Sequence, residues 1–388
     1  MNWWQLVKRE LYLMFRKDFR RVNFIFGASL AYLIIFGLLY GTHVITNVPL
    51  VIYDEDQTQL SRSLVQCFAD SERFEIVAQP SSQEEMEYYL HEQTAYAAVH
   101  IPHDFASHVT SDKSSPVLLI ASGINLAVTN TITTYTQEIL AAFNQHVSTK
   151  LLEAAGVPET LASHKSAPIT FAIRVLNNPT LSYLNFFVIG LAMAAFQQGI
   201  FLAVGASILY EYRNRDELAA IHPVKVMTAK MLPYFILASL SFFVTLYASI
   251  RLFDIPCKGT LLDLFFLSET FVLTAIGFSS LVASLCHSEI TFTKLSLTYS
   301  IPAFTLSGYI WPLASMDAFS QTIAYIFPLF YLSDALRDLL LGGYSPELTR
   351  NITVLLVLGL VLTCLATWLY TKRRHTVNTS DPTGTVTA

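Results

Sequence analysis

Residues 210–230 read YEYRNRDELAAIHPVKVMTAK, between two apolar runs, FFVIGLAMAAFQQGIFLAVGASIL at 186–209 and MLPYFILASLSFFVTLYASI at 231–250. Each run is long enough to cross a bilayer core of about 30 Å at about 1.5 Å per residue. The charged stretch between them, helical in pattern at its start and broken by Pro223, must then lie in water on one side. Fixing that side fixes the topology of the rest of the chain.

Composition agrees with a membrane protein. Of 388 residues, 53% are hydrophobic and 14% charged, against about 25% charged in a soluble domain. Six windows are apolar enough to span: Val22–Gly41, Leu184–Leu209, Met231–Ile250, Leu261–Leu285, Phe292–Trp311 and Ile352–Tyr370. The fold class expected is therefore a polytopic α-helical membrane protein with six transmembrane helices. The first window is too long for the apolar core of a signal peptide. GTHVITNV after it offers no small-x-small cleavage site, so it reads as an uncleaved anchor.

Basic residues flanking the spans set the orientation. They cluster in residues 1–21 (Lys8, Arg9, Arg16, Lys17, Arg20, Arg21), in the 210–230 segment (Arg213, Arg215, Lys225, Lys230) and after the last span (Lys372, Arg373, Arg374). With six crossings these three segments share one side, the cytoplasm, with both termini there and residues 372–388 as a cytoplasmic tail. The loops 252–260 and 312–350 then face out. In residues 1–21, Trp4, Val7, Leu11, Met14 and Phe15 make an apolar stripe, the pattern of a helix lying in the membrane interface, with a cytoplasmic extension of the first span as the alternative.

Residues 47–180 form a polar block with 15 Asp and Glu against 6 Lys and Arg, a net of −9. Such acidity argues against nucleic acid as a partner. Short apolar runs (VPLVIYD, RFEIVA, YAAVHIP, PVLLIAS) alternate with helical patterns at 57–69, from a Ser81/Glu84 capping box to about His91, and over 125–155. That alternation predicts an extracytoplasmic α/β (α+β) domain. His100, His103 and His108 lie close together but lack acidic or cysteine ligands at convincing spacing, so they read as surface histidines and no metal site is expected. Four cysteines form no paired motif, and no phosphate-binding glycine loop is present, so the chain carries no nucleotide site of its own.

Five stretches together resemble the type-2 ATP-binding-cassette (ABC) exporter permeases of the branch with a large external domain. They are VPLVIYDEDQTQLSRSLVQCF from Val48, AAVHIPHDF from Ala97, NNPTLSYLNFFVIGL from Asn177, EYRNRDELAAIHPVKVMTAK from Glu211 and IFPLFYLSDALRDLLLGG from Ile326. In the fourth, Arg213 and Arg215-Asp216 stand where the family pattern has its second acid and Gly-Thr. The resemblance implies a permease subunit of the bacterial inner membrane that is not itself an enzyme. It would pair with a second copy or a homologous permease, and be driven by a cytosolic ATPase that binds ATP-Mg; this chain would bind no cofactor. A periplasmic adaptor protein is a further implied partner, with drugs, small molecules or multi-component efflux as the task.

On this reading residues 210–230 are a coupling segment gripped by the ATPase. Glu211, Arg213, Arg215, Asp216 and Glu217 would pair with its charges, and Pro223 would end the helix. Gln197, Gln198 and Glu269 interrupt apolar spans and are candidates for the translocation path. The glutamines also suit interhelical hydrogen bonds, and Glu269 also suits an outer-interface acid near Asp263. Pro302, Gly308, Pro312 and Pro328 suggest a broken fifth span and an outer gate, with re-entrant helices in 312–350. The rival reading is a membrane-anchored extracytoplasmic sensor or binding protein without transport, which needs neither a coupling segment nor a broken span. An ion-driven transporter would show an inverted repeat, and none is evident.

Overall fold

The computed structural model describes residues 1–41, 45–111, 113, 115–123, 126–154, 156, 177–178, 182–214, 218 and 221–378, with side chains at 126 and 374–378 left aside. It divides into two compact units, Met1–His43 with Val175–Ala388, and Val44–Arg174.

The first unit opens with α1 (Trp3–Tyr12), extended by one wide turn over Leu13–Lys17, and α2 (Arg20–Leu39). The expected apolar stripe of α1 splits. Val7 and Met14 are buried with Leu6, Glu10 and Leu13, whereas Trp4, Leu11 and Phe15 are exposed. The buried face is centred on Glu10, about a quarter-turn round the helix from the middle of the stripe, so only the Val7 and Met14 edge reaches it.

The second unit is a four-stranded sheet with order β2-β1-β3-β4, built from β1 (Val48–Asp54), β2 (Phe74–Ala78), β3 (Ala97–Ile101) and β4 (Leu118–Ala121). β1 runs parallel to β2 and β3, and β4 pairs antiparallel to β3. The linking helices are α3 (Gln59–Ala69), α4 (Gln83–His91) and α5 (Phe105–Thr110), and α6 (Leu126–Ala154) follows β4. Both faces of the sheet are covered. Val48, Leu50 and Ile52 pack with Leu64, Phe68, Phe105, Ile132 and Phe143, while Val51 on the other face meets Met86 and Ala98. Each such fully buried side chain contributes about 1.5–3 kcal/mol. The cap of α4 lies one residue beyond the predicted Ser81/Glu84: Ser82 Oγ accepts the Glu85 N–H, and the Glu85 carboxylate reaches back to the Ser81 N–H. The S-x-x-E spacing fits both registers, and in the observed one Met86 is buried.

The first unit resumes with a wide turn over Leu184–Val188, where Asn178 accepts the Ser182 N–H. Then come α7 (Ile189–Arg213), α8 (Pro223–Phe253), α9 (Leu261–Leu285), α10 (Glu289–Thr305), α11 (Ala318–Ala324), α12 (Pro328–Arg337) and α13 (Leu348–Asn378). Among the described residues five helices are long and apolar enough to cross a membrane, at Arg20–Leu39, Leu184–Arg213, Pro223–Phe253, Leu261–Leu285 and Leu348–Arg373. The predicted window Phe292–Trp311 is not a single helix. α10 has 17 residues, about 25 Å at 1.5 Å each. It stops at Thr305, where Ser307 Oγ donates to the Phe304 carbonyl and Gly308 takes a φ of +75°.

Small and hydroxylated residues join these helices, as expected where apolar surroundings give no preference for one apolar face over another. Ser241 donates to the Ile25 carbonyl (2.7 Å), Thr274 to the Leu355 carbonyl (2.6 Å) and Ser279 to the Phe201 carbonyl (2.9 Å). α9 and α13 cross closely where Gly277 and Gly359 face each other's helix; a Cβ on Gly277 would sit 2.7 Å from Thr363 Oγ1.

Candidate functional site

Glu211 lies in the last turn of α7, four residues after Ser207, so both side chains point to one face. That face meets α8 through Lys230 and Tyr234, again four apart, and α1 through Glu10. Lys230 Nζ stands 2.7 Å from Glu10 Oε2 and 2.9 Å from Glu211 Oε2. Arg9 Nη1 reaches the same Glu211 oxygen at 3.2 Å. The other Glu10 oxygen accepts from Ser207 (2.6 Å), Tyr234 (3.0 Å) and Arg21 (3.2 Å), and Arg21 continues to Asp18 (3.1 Å).

Four of these charges are almost out of solvent: Glu10 at 0% exposure, Glu211 at 1%, Arg21 at 2% and Lys230 at 4%. Taking an ion out of water costs several kcal/mol, and only close partners offset it. Burial alone would push the Glu10 carboxyl up; the Lys230 charge, its hydrogen bond, the Ser207 hydroxyl and Arg21 outweigh that and hold it below its ordinary value. Asp18 is likewise held low: burial opposes, but the Arg20 hydrogen bond and the Arg21 charge prevail. The cluster ties α1, α2, α7 and α8 into one body at the end that carries residues 210–230.

Other elements gather at that end. Trp3 Nε1 donates to Thr228 (3.2 Å), and Lys225 donates to the Met1 carbonyl (3.2 Å). Arg213 pairs with Glu289 at 3.3 Å. Arg373 donates to the Ser284 and Cys286 carbonyls (2.9 and 2.6 Å) and lies 4.2 Å over the Tyr212 ring.

The predicted coupling residues therefore divide. Glu211 is buried and committed to Lys230 and Arg9, so it cannot present its charge to a partner protein; its surroundings make it an anchor. Arg213 is exposed and half-way to such a role. Arg215, Asp216 and Glu217 lie outside the described residues. Pro223 does not end a helix but opens α8 at its first turn, where its missing N–H and fixed φ cost nothing. Leu218, 3% exposed, is the apolar foothold of the segment. Sequence reasoning missed Glu10, Arg21, Ser207, Tyr234 and Leu218. One signal was present: Glu10 falls among Leu6, Val7, Leu13 and Met14 at helical spacing, where an acid needs a buried cation.

The path candidates do not converge. Gln197 donates to Tyr299 (2.9 Å); Gln198 donates to Ser296 (2.8 Å) and accepts from Ser300, so both bind α7 to α10. Glu269 instead accepts from Ser239 of α8 at 2.7 Å. Of the gate candidates, Gly308 offers its carbonyl to Arg337 (3.3 Å) beside Phe330, and Pro328 opens α12 in the core. Pro302 lies inside α10 and Pro312 before a single turn at Leu313–Ser315; both are exposed. Among the described residues no group of three or more His, Cys, Asp or Glu is placed to hold a metal.

Comparison with known proteins gives this architecture a family. The model of a family described as "ABC-2 family transporter protein" matches residues 22–368. The chain is 27% identical over 353 residues to "Probable multidrug ABC transporter permease YbhR" of Escherichia coli (strain K12), covering 90% of this chain and 92% of that protein. Over 151 residues it is 30% identical to YbhS of the same strain, a "Probable multidrug ABC transporter permease", covering 39% of this chain and 40% of that one. A 100-residue stretch is 25% identical to "ABC transporter G family member 20" of Dictyostelium discoideum, covering 26% of this chain and 14% of that protein. With the family match running from α2 into the last long helix, the chain belongs to the ABC-2 family of transporter proteins, as a multi-pass membrane permease.

Proposed function

We propose that this permease is the membrane-spanning subunit of an ABC exporter, working as a pair with a second copy or a homologous permease. A separate cytosolic ATPase carrying ATP-Mg drives it. The chain crosses the bacterial inner membrane six times, α10 being the short fifth crossing, continued by the broken segment at 306–317. Both termini and residues 210–230 lie in the cytoplasm; residues 47–180 lie outside. The relatives' names favour drug-like cargo; we add an adaptor outside that receives it.

The observation that carries this reading is the buried charge cluster. An ATPase closing on ATP would push on residues 210–230, with Arg213, Arg215, Asp216 and Glu217 as the charges it meets. Glu211 and Lys230 join the two ends of that segment to each other and, through Glu10 and Arg21, to α1 and α2. A push there moves four helices together instead of bending one loop. Gln197 and Gln198 hold α7 to α10, so the motion reaches the fifth crossing and the gate around Gly308.

The test is co-expression with a candidate cytosolic ABC ATPase from the same genome. The two should co-purify, and reconstitution should stimulate ATP hydrolysis. Asp216→Lys with Glu217→Lys should abolish the stimulation with membrane insertion unchanged. Unaltered stimulation removes the role assigned to this segment.

A further inference from the structure

Two adjoining cavities, of about 340 and 440 Å³, share Asp18, Arg20, Arg21 and Glu289 and open between α2, α7 and α10. Their chemistry is divided by depth. The rim carries four cations, Lys17, Arg20, Arg21 and Arg213, against two carboxylates, Asp18 and Glu289. Arg21 points inward to Glu10, but Arg20 and Arg213 are 74% and 62% exposed while pairing with Asp18 and Glu289, and Lys17 is exposed. The floor is Phe24, Leu202, Ala206 and Phe292, without a charge. Phe24 stands one helical turn beyond Arg20, about 6 Å further along α2.

We propose that this groove holds one anionic phospholipid of the inner leaflet. Its phosphate lies against Lys17, Arg20 and Arg213, and the start of an acyl chain lies on Phe24, Leu202 and Phe292. A basic rim over an apolar cleft between spanning helices fits a lipid head group. A soluble anion would use the rim and leave the floor wet, and a zwitterionic lipid would gain little from a net-positive rim. The lipid would wedge α10 against α2 and α7 next to the charge cluster, so its occupancy would tune how the coupling end moves. This inference rests on the topology proposed above, which puts the groove at the inner leaflet.

The experiment uses the purified, delipidated full chain in neutral detergent, without any ATPase. Native mass spectrometry titrates it with dioleoylphosphatidylglycerol or with dioleoylphosphatidylcholine, which carries the same acyl chains. Each cation near an anionic lipid contributes roughly a factor of five. With a net of two positive charges on the rim, phosphatidylglycerol should bind roughly twenty-five-fold more tightly. Lys17→Gln with Arg213→Gln should erase that preference and leave phosphatidylcholine binding unchanged. Ala206→Phe, which fills the floor and spares every charge, should weaken both lipids. Melting curves identify any variant that fails to fold. Equal affinity for the two lipids overturns the proposal. So does a preference that survives the double substitution in folded protein, or a groove sealed by a second copy that admits no lipid. Lipid preference without a co-purifying ATPase would sink the exporter reading and spare this one; the converse would do the reverse.

Discussion

Lys230 and Glu10 meet at 2.7 Å although they stand 220 positions apart in the chain. One is in the first helix and the other just inside α8, and Lys230 also holds Glu211 across the 210–230 segment. Breaking a buried pair by neutralising one partner costs about 3–5 kcal/mol, because the other charge stays buried. Glu10→Gln and Lys230→Gln should each lower the melting temperature of the purified protein markedly. The double variant should be much less destabilised than the sum of the two, with a coupling of at least about 1 kcal/mol. Additive effects would show that the contact carries no energy.

The same cluster sets a pH dependence. Glu10 and Asp18 are both held below their ordinary values in the folded chain. A carboxylate depressed on folding contributes stability that is fully present above its unfolded pKa and is lost as pH falls through the folded one. Melting temperatures should therefore be level near neutrality with respect to these groups. They should fall as pH drops below the ordinary carboxylate range, and Glu10→Gln should show the shallower fall. An equal slope in the variant would remove Glu10 from the account.

Two glycines separate packing from propensity. Gly277→Val would drive its side chain into Thr363 and the Gly359 carbonyl, whereas a Cβ on Gly27 has nothing within 4 Å. The first should cost more than about 2 kcal/mol as an overpacked core. Gly27→Ala should be neutral or stabilising by up to about 1 kcal/mol. Thermal unfolding of the two variants in one detergent checks the contrast.

Topology can be read by cysteine labelling after Cys67, Cys257, Cys286 and Cys364 are replaced. Ser81→Cys should react with a membrane-impermeant maleimide in intact spheroplasts. His222→Cys should react only after the membrane is opened. Both positions are exposed in the fold, so silence from either reports the membrane and not burial. The reverse pattern would invert the proposed orientation.

The strands were legible in the sequence because β1 and β3 are short apolar runs closed by acids, proline and turn residues. Five of the six predicted windows were legible as long apolar helices because length and hydropathy are local properties. The end of α10 was harder: Pro302 is tolerated inside the helix, while the break depends on Gly308 and Ser307 beyond it. The charge cluster was hidden for a different reason. Ser207, Glu211 and Lys230 each look like an ordinary polar residue at the edge of an apolar run; Glu10 on its apolar helix face shows that a cation is needed but not which one, and only the packing of α1 against α7 and α8 makes them partners. Pro223 illustrates the limit of punctuation: a proline marks a boundary, but its side of the boundary depends on which helix can use an absent N–H.

Arg373 binds the carbonyls left open where α9 ends at Ser284 and Cys286. The final helix therefore cannot slip by one residue without stripping those oxygens of their donor. Arg373 is therefore the clasp that fixes the register of α13 against the end of α9. A chain cut back to residue 371 should keep all five long apolar helices found among the described residues and lose the clasp between α13 and α9.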